Sequence, residues 1–529
     1  MSTSDCAASL SRLDDQAPAQ RQGVTYQSHG ALLIVADAPF DTSPLDEIGV
    51  PGPTVVVWNG ARGAASGTGD SRIRYVEGRI AALSGWLGEF TYEVASVHQR
   101  AAQASGPGSA RTFDLIIDFS GSPLIERSVP PLGYFAPRTP EALRGALKRC
   151  QDLVGRFVKP KYFEYELGLC THASFGQSGC TRCLDVCAAD AIHSEGDRIS
   201  VDPHLCQGCA ACTLACPTGA LSFTGPTRST LLEQVEEAIT AAGTDNPTLI
   251  VHPPGMALPA FMSHEVVDLA VEPLAAFGEE IWLAALARGV GRIVLLADDS
   301  VPEETRSLLR SRLEITRTIL DGCGQPSDAV SLAEGIAGIK PLISGYRVIA
   351  RRDADPIDES SPLPTHHKRA LLTRSVARLE PVEAFEPRAL EAGAPLGTIV
   401  VDEDRCTLCS ACVKICPTAA LNYSTSEESG TARLTFAEEV CVQCGACESG
   451  CPEDAISLQP RISGLPVRGF WRRLASAPLA VCPDCGDAFM PRGLLEANIR
   501  RTEAAGMPAA AVEGMKRCPD CRHKRLTRG

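Results

Sequence analysis

Eight cysteines between positions 406 and 451 repeat one spacing twice: Cys406-x2-Cys409-x2-Cys412-x3-Cys416-Pro417 and Cys441-x2-Cys444-x2-Cys447-x3-Cys451-Pro452. Nothing else in the chain constrains its folding as tightly. Thiols two or three residues apart gather on tight turns and face a common point, which is the spacing of metal ligands rather than of disulfide bridges. The flanks repeat as well. Thr398-Ile-Val-Val stands before Cys406 and Leu434-Thr-Phe-Ala before Cys441, while Ala420-Leu-Asn-Tyr follows one array and Ala455-Ile-Ser-Leu the other. A strand–array–strand unit therefore occurs twice within 396–460.

Residues 165–225 hold a variant of the same pattern. The downstream half, Cys206-x2-Cys209-x2-Cys212-x3-Cys216-Pro217, is regular; the upstream half is Cys170-x9-Cys180-x2-Cys183-x3-Cys187, with Ala188 in the proline position. Counted from its end, the upstream run matches the last three positions, and Cys170 stands for a displaced first ligand. Gly208, Gly445 and Gly450 allow close backbone approach, and Ala210, Ala211, Ser410, Ala411 and Ala446 leave room around each site. His172 beside Cys170 is read either as a hydrogen-bond donor to the bound group or as a surface histidine. Near the end, Cys482-Pro-Asp-Cys485 and Cys518-Pro-Asp-Cys521 offer four more thiolates suited to tetrahedral zinc or a single iron. Cys6, Cys150 and Cys323 stand alone, the latter two reading as small buried hydrophobes.

The remaining chain sets the context. A length of 529 residues exceeds one core. Hydrophobic content is 44% and the formal net charge is −14, which disfavours nucleic acid and anionic membrane as partners. No apolar run is long enough for a membrane span, and the N-terminus shows no export signal, so a cytoplasmic location is expected. The reading is a multidomain α/β and α+β chain. It begins with a flexible 1–28, followed by an α/β domain over 29–164 with strands at Ala31–Ala36, Thr54–Trp58, Phe90–Val94 and Asp114–Phe119. Thr139 caps a helix from Pro140. The first cysteine domain covers 165–225. A second α/β domain covers 226–349, with strands Thr248–His252 and Arg292–Ala297 and helices over His264–Glu279, Ile281–Arg288 and Pro302–Leu313. A linker with a short helix near His366–Leu379 occupies 350–395. The second cysteine domain covers 396–460, and 461–529 is a basic tail ending in the two knuckles. Gly60–Gly69 is glycine-rich but fits no phosphate-binding pattern and reads as a plain loop.

The regions 165–225 and 396–460 resemble the 2[4Fe–4S] ferredoxin domain family, and the terminal knuckles are similar to a zinc ribbon. The middle α/β domain is distantly similar to the small domain of hydrogenase and heterodisulfide-reductase delta subunits. The ferredoxin resemblance implies that in each array three thiolates hold one cube while the fourth reaches to the neighbouring cube. Cys406, Cys409, Cys412 and Cys451 then form one set, and Cys441, Cys444, Cys447 and Cys416 another. Cys170, Cys180, Cys183 and Cys216 form a third, with Cys170 alternatively a free thiol beside a three-iron cluster. Cys206, Cys209, Cys212 and Cys187 form the fourth. The implied cofactors are four [4Fe–4S] clusters, with one Zn2+ (or iron) on Cys482, Cys485, Cys518 and Cys521. The implied function is non-catalytic electron transfer in a redox complex, toward a flavoprotein, a formate-dehydrogenase-like or a hydrogenase-like enzyme. Two alternatives stay open: an iron–sulfur oxidoreductase with a flavin or substrate site in an α/β domain, and an assembly or maturation factor.

Overall fold

The computed structural model describes residues 11–12, 23–37, 40, 42–58, 70–96, 112–174, 177–256, 258, 265–343, 348–351, 367–381, 385–426 and 428–528. Cys6 and the Gly60–Gly69 loop lie outside the described residues. The chain is multidomain, with parallel, antiparallel and helical layers, and it divides into two units.

The first unit comprises 1–163, 187–193 and 200–208. Its centre is a parallel five-stranded sheet in the order Tyr134–Phe135, Leu115–Phe119, Leu32–Ala36, Thr54–Trp58, Ile73–Glu77. Leu32 and Ile34 face one core with Leu143, Ala146, Leu147 and Cys150 of the helix Pro140–Asp152. Leu33 and Val35 face a second core with Phe90 and Tyr134. Burial on both faces explains why these strands read as unbroken apolar runs. Thr139 caps the helix, its Oγ1 accepting from the Ala142 N–H at 3.2 Å.

The strand expected at Phe90–Val94 is present as Phe90–Ser96 and pairs antiparallel with Arg79–Ser84 and Thr112–Phe113, outside the parallel sheet. One expectation changes here. The segment Gly23–Ser28, placed above within a flexible terminus, is a strand paired antiparallel with Gly155–Pro160. Its residues alternate exposed and buried, so Val24, Tyr26 and Ser28 point inward while the segment as a whole reads as polar.

The second unit comprises 164–186, 194–199 and 209–529. It contains a parallel sheet in the order Val266–Ala270, Thr248–His252, Arg292–Ala297, Val330–Glu334. The helix expected over His264–Glu279 is corrected: Val266–Ala270 is an edge strand, and a buried helix begins at Glu279 and ends at Arg288. Val267, Asp268 and Leu269 alternate as an edge strand does, a short pattern that resembles one face of a helix. Helix Glu303–Gly322 extends well past Leu313.

The helix Lys368–Leu379 is buried along most of its length, including Lys368 and Arg369. It packs on the helix Glu279–Arg288 and joins the large core that runs on to Leu396 and Ile462. The short helix expected near His366–Leu379 is thus present, and it is a core element. Beyond it, Gly397–Val401 pairs with Ile456–Ile462, and Leu421–Ser426 pairs with Thr431–Ala437. The first and last strands of the repeat thus pair with each other, as do the two middle ones. Trp471–Val481 adds to Thr431–Ala437 and pairs in turn with Ala488–Pro491. The segment expected as a basic tail therefore starts as a sheet strand.

Candidate metal centres

The cysteine arrays share a backbone signature. On either side of the middle cysteine the chain turns left-handed: Leu408 and Ser410 (φ 56° and 61°), Gln443 and Gly445 (52° and 83°), Gly208 and Ala210 (72° and 59°). Three residues after the fourth cysteine it does so again, at Ala419, Asp454, Gly219 and Asp190. Seven of the eight left-handed non-glycine residues of the described chain fall at these positions. Each costs roughly 1–2 kcal/mol and persists only where the surroundings over-determine it. The turns aim amide groups at sulfur: Ala420 N–H donates to Cys416 Sγ at 3.3 Å, Ala455 N–H to Cys451 Sγ at 3.3 Å, and Ala191 N–H to Cys187 Sγ at 3.2 Å. Amide donors to sulfur suit a thiolate that carries charge.

Cys406, Cys409, Cys412 and Cys451 line one small cavity, walled by Leu434, Tyr423 and Ile456. Cys451 ends the other array, so the strand pairing carries the crossing. Burial pushes the Cys412 thiol up to about 12, and Cys409, Cys406 and Cys451 push in the same direction. Around Cys447, burial again raises the thiol first, followed by Cys441, Cys444, Cys416 and Cys412. Buried thiols that repel one another ionise together only if a cationic centre takes their charge. All-sulfur donor sets in apolar walls fit an iron–sulfur group.

In the second unit, burial lifts the Cys183 thiol up to about 12, with Cys216, Cys180 and Cys170 adding to it. The displaced Cys170 thus lies within electrostatic reach of the thiols with which it was grouped. His172 is buried rather than on the surface. Its Nδ1 lies 3.0 Å from the Cys180 carbonyl and its Nε2 2.7 Å from Ser194 Oγ. A carbonyl only accepts, so Nδ1 carries the proton and Nε2 accepts from the serine. Both ring nitrogens are occupied in shaping the insertion, and neither donates to sulfur.

In the first unit, the loops bearing Cys187 and Cys206 are built onto the α/β core. His204 stacks on Trp86 at 4.5 Å between ring centroids, and Lys159 Nζ donates to the carbonyls of His204 and Cys206, both at 2.8 Å. Gly208 is positive in φ, and a Cβ there would lie 2.8 Å from the Tyr162 ring. Cys209 and Cys212 belong to the second unit.

The ligand atoms of Cys482, Cys485, Cys518 and Cys521 all lie within 4.8 Å of one another. The Cys485 and Cys518 sulfurs are 3.7 Å apart, close to the edge of about 3.8 Å that a tetrahedron with metal–sulfur bonds of about 2.3 Å requires. Burial opposes ionisation of Cys482, but backbone N–H groups of Cys518, Asp484 and Cys485 outweigh it and bring its thiol down to about 6. The first knuckle lies on a hairpin turn, where the Gly486 N–H donates to the Cys482 carbonyl at 2.9 Å. The second opens the helix Pro519–Arg528, and helices Arg492–Ala504 and Ala509–Met515 fill the space between knuckles. Arg517 joins the two knuckles through Asp484 at 3.0 Å, and Arg525 reaches the same carboxylate at 3.3 Å. These two basic residues are engaged within the site. Cys150 is buried with its thiol pushed up by desolvation, which leaves it a core residue.

Four residues outside the thiol sets also shape the site. Arg182 and Gln443 occupy the two-residue gaps of their arrays, and Lys368 and Arg369 open a helix. Cations at a helix start oppose its dipole, and that misplacement was the available signal that their charges are used elsewhere.

The family described as "4Fe-4S dicluster domain" matches residues 386–455, and "4Fe-4S binding domain" matches residues 199–222. The chain is 46% identical over 39 residues to "Ferredoxin" of Alicyclobacillus acidocaldarius subsp. acidocaldarius, covering 7% of this chain and 50% of the relative. It is 41% identical over 39 residues to "Ferredoxin 7Fe" of Hydrogenibacillus schlegelii, covering 7% and 50%. It is 44% identical over 43 residues to "Hydrogenase-4 component A" of Escherichia coli (strain K12), covering 8% and 21%. The chain thus spans about half the length of the two ferredoxins and about a fifth of the hydrogenase component. Iron–sulfur binding domains are present, and a redox carrier role in general follows from them. Among the described residues, no helix is long and apolar enough to cross a membrane.

Proposed function

We infer that the chain is a non-catalytic electron-transfer subunit that carries four [4Fe–4S] clusters and one structural zinc. When bound, each cube supplies a one-electron couple. The protein's own part is to place the thiols, exclude water and supply amide donors. The observation that carries this reading is the single cavity shared by Cys406, Cys409, Cys412 and Cys451, in which one thiol comes from the neighbouring array. The thiols around Cys447 and Cys183 support two further sets of the same crossed kind, Cys441, Cys444, Cys447, Cys416 and Cys170, Cys180, Cys183, Cys216. The fourth set, Cys206, Cys209, Cys212 and Cys187, rests on spacing. The site on Cys482, Cys485, Cys518 and Cys521 is assigned to zinc on the sulfur spacing, as a structural element at the end of the sheet.

The resemblance to a hydrogenase component favours a hydrogenase-like enzyme as the redox partner, reached in the cytoplasm through a stable complex. The test is metal and sulfide content of anaerobically purified protein together with redox-titrated EPR. About sixteen iron atoms, four per cube, and one zinc per chain are expected. Iron near eight would remove two of the clusters, and flavin released on denaturation would replace the carrier reading with an oxidoreductase.

A further inference from the structure

We propose that Arg182 links the two cysteine modules, fixing the thiol set around Cys180 against the set around Cys444 and supplying a buried cationic donor to the groups they hold. The proposal rests on the ligand sets given above.

Arg182 lies in the gap between Cys180 and Cys183, at the start of the short helix Arg182–Asp185. Its Nη2 donates to the Gln443 carbonyl at 2.7 Å, across 261 residues of sequence. Gln443 occupies the matching gap between Cys441 and Cys444. Its backbone is left-handed, and its Nε2 donates to the Thr398 carbonyl at 3.0 Å and to Cys441 Sγ at 3.4 Å. The other terminal nitrogen of Arg182, Nη1, is buried and makes no hydrogen bond among the described residues. The charged-form groups acting on this guanidinium are Cys180, Cys444 and Glu279, with Arg312 opposing. Glu279 is paired with Arg312 at 3.7 Å. The buried Nη1 therefore has Cys180, Cys444 and Glu279 as the anionic groups within electrostatic reach. Cys180 also acts electrostatically on Cys444, so the two thiol sets lie within reach of each other.

Contacts elsewhere tie the same two sets. Lys368 Nζ donates to the carbonyls of Thr213 and Leu214 at 2.9 and 2.8 Å, just before Cys216. The next residue, Arg369, donates to the carbonyls of Glu439 and Pro395, both at 2.7 Å, and Glu439 stands two residues before Cys441. One helical turn thus holds a ligand-bearing segment of each module. The helix Ala446–Ser449 lies beside the strand Gln177–Ser178. A buried guanidinium favours the more negative, reduced state of an adjacent iron–sulfur group and raises its potential. Desolvated, it lacks the solvent screening that would cancel this effect.

The experiment uses the full-length, anaerobically purified holoprotein and its Arg182→Gln and Arg182→Lys variants. It reads iron and sulfide content, one-electron midpoints by EPR titration, and the dipolar broadening between clusters in the fully reduced protein. Wild type is expected to show broadening between clusters of different modules. Arg182→Gln is expected to keep its iron while the equilibrium constant for reducing one cluster falls about tenfold or more, which for one electron is about 59 mV. Arg182→Lys is expected to restore most of that shift. Iron retained in Arg182→Gln with unchanged midpoints and broadening would overturn this proposal and leave the ligand sets standing. If Arg182→Gln does not assemble, the lysine variant decides: a midpoint close to wild type supports the charge role, and one lowered by the tenfold equivalent of about 59 mV overturns it. Wild-type protein without iron or sulfide would overturn the ligand sets themselves.

Discussion

At the scale of single residues, the spacing of the cysteines groups them into arrays, and the backbone between them explains why they converge. Leu408, Ser410, Gln443 and Ala210 accept a left-handed conformation that costs free energy in isolation, and each stands next to a middle cysteine. The fourth cysteine is the informative one. Cys451 is joined by sequence to Cys447 yet lines the cavity of Cys406, Cys409 and Cys412. Cys451→Ser is therefore expected to lower iron by up to about four atoms per chain, with the EPR signal of the Cys406 site altered or lost and that of the Cys441 site retained. Loss of the Cys441-site signal alone, read in variants that already lack one site, would contradict the crossing. His172 shows the limits of reading a lone histidine: a neighbour of Cys170 in sequence, it spends both nitrogens on Cys180 and Ser194.

At the scale of elements, the helix Lys368–Leu379 carries the most weight. Its first turn bonds segments that precede Cys216 and Cys441. Its C-cap residue, Glu380, pairs with Arg468 at 2.6 Å, with side-chain exposures of 1% and 3%. Removing one partner of a buried pair strands the other charge, at a cost of about 3–5 kcal/mol. Glu380→Ala is expected to destabilise the second unit by that amount, seen as an earlier urea transition in the cluster absorbance. A variant whose transition is unmoved would show that the pair contributes little. The sequence of 350–395 suggested a linker with a short helix near His366–Leu379; that helix is present, and its apolar face (Ala370, Leu371, Val376, Leu379) buries it in the core. The edge strand Val266–Ala270 was misread for a related reason: a strand of five residues offers too few positions to separate a period of two from one of 3.6.

At the scale of the whole molecule, cysteine sites are built onto the two α/β layers rather than appended to them. In the first unit Lys159 and Trp86 hold the loop with His204 and Cys206; in the second the core around Trp282 continues to Leu396 and Ile462 at the base of the repeat. The C-terminal site continues the sheet through Trp471–Val481. Cys482→Ala is expected to release one zinc per chain, to leave iron unchanged, and to speed hydrogen exchange across Arg492–Arg528. Faster exchange spreading into Leu421–Ala437 would show that the zinc site supports the cluster domain as well.

The linear sequence determined the grouping of the cysteines into arrays and the parallel character of the second α/β layer. Those depend on local turn geometry and on apolar runs, which are properties of neighbouring residues. Why Arg182 and Gln443 share a hydrogen bond across 261 residues, and why cations open a buried helix, were decided by tertiary structure alone. Each of these depends on a contact between segments far apart in the chain, and on the rule that a charge removed from water must find its partner wherever packing brings one.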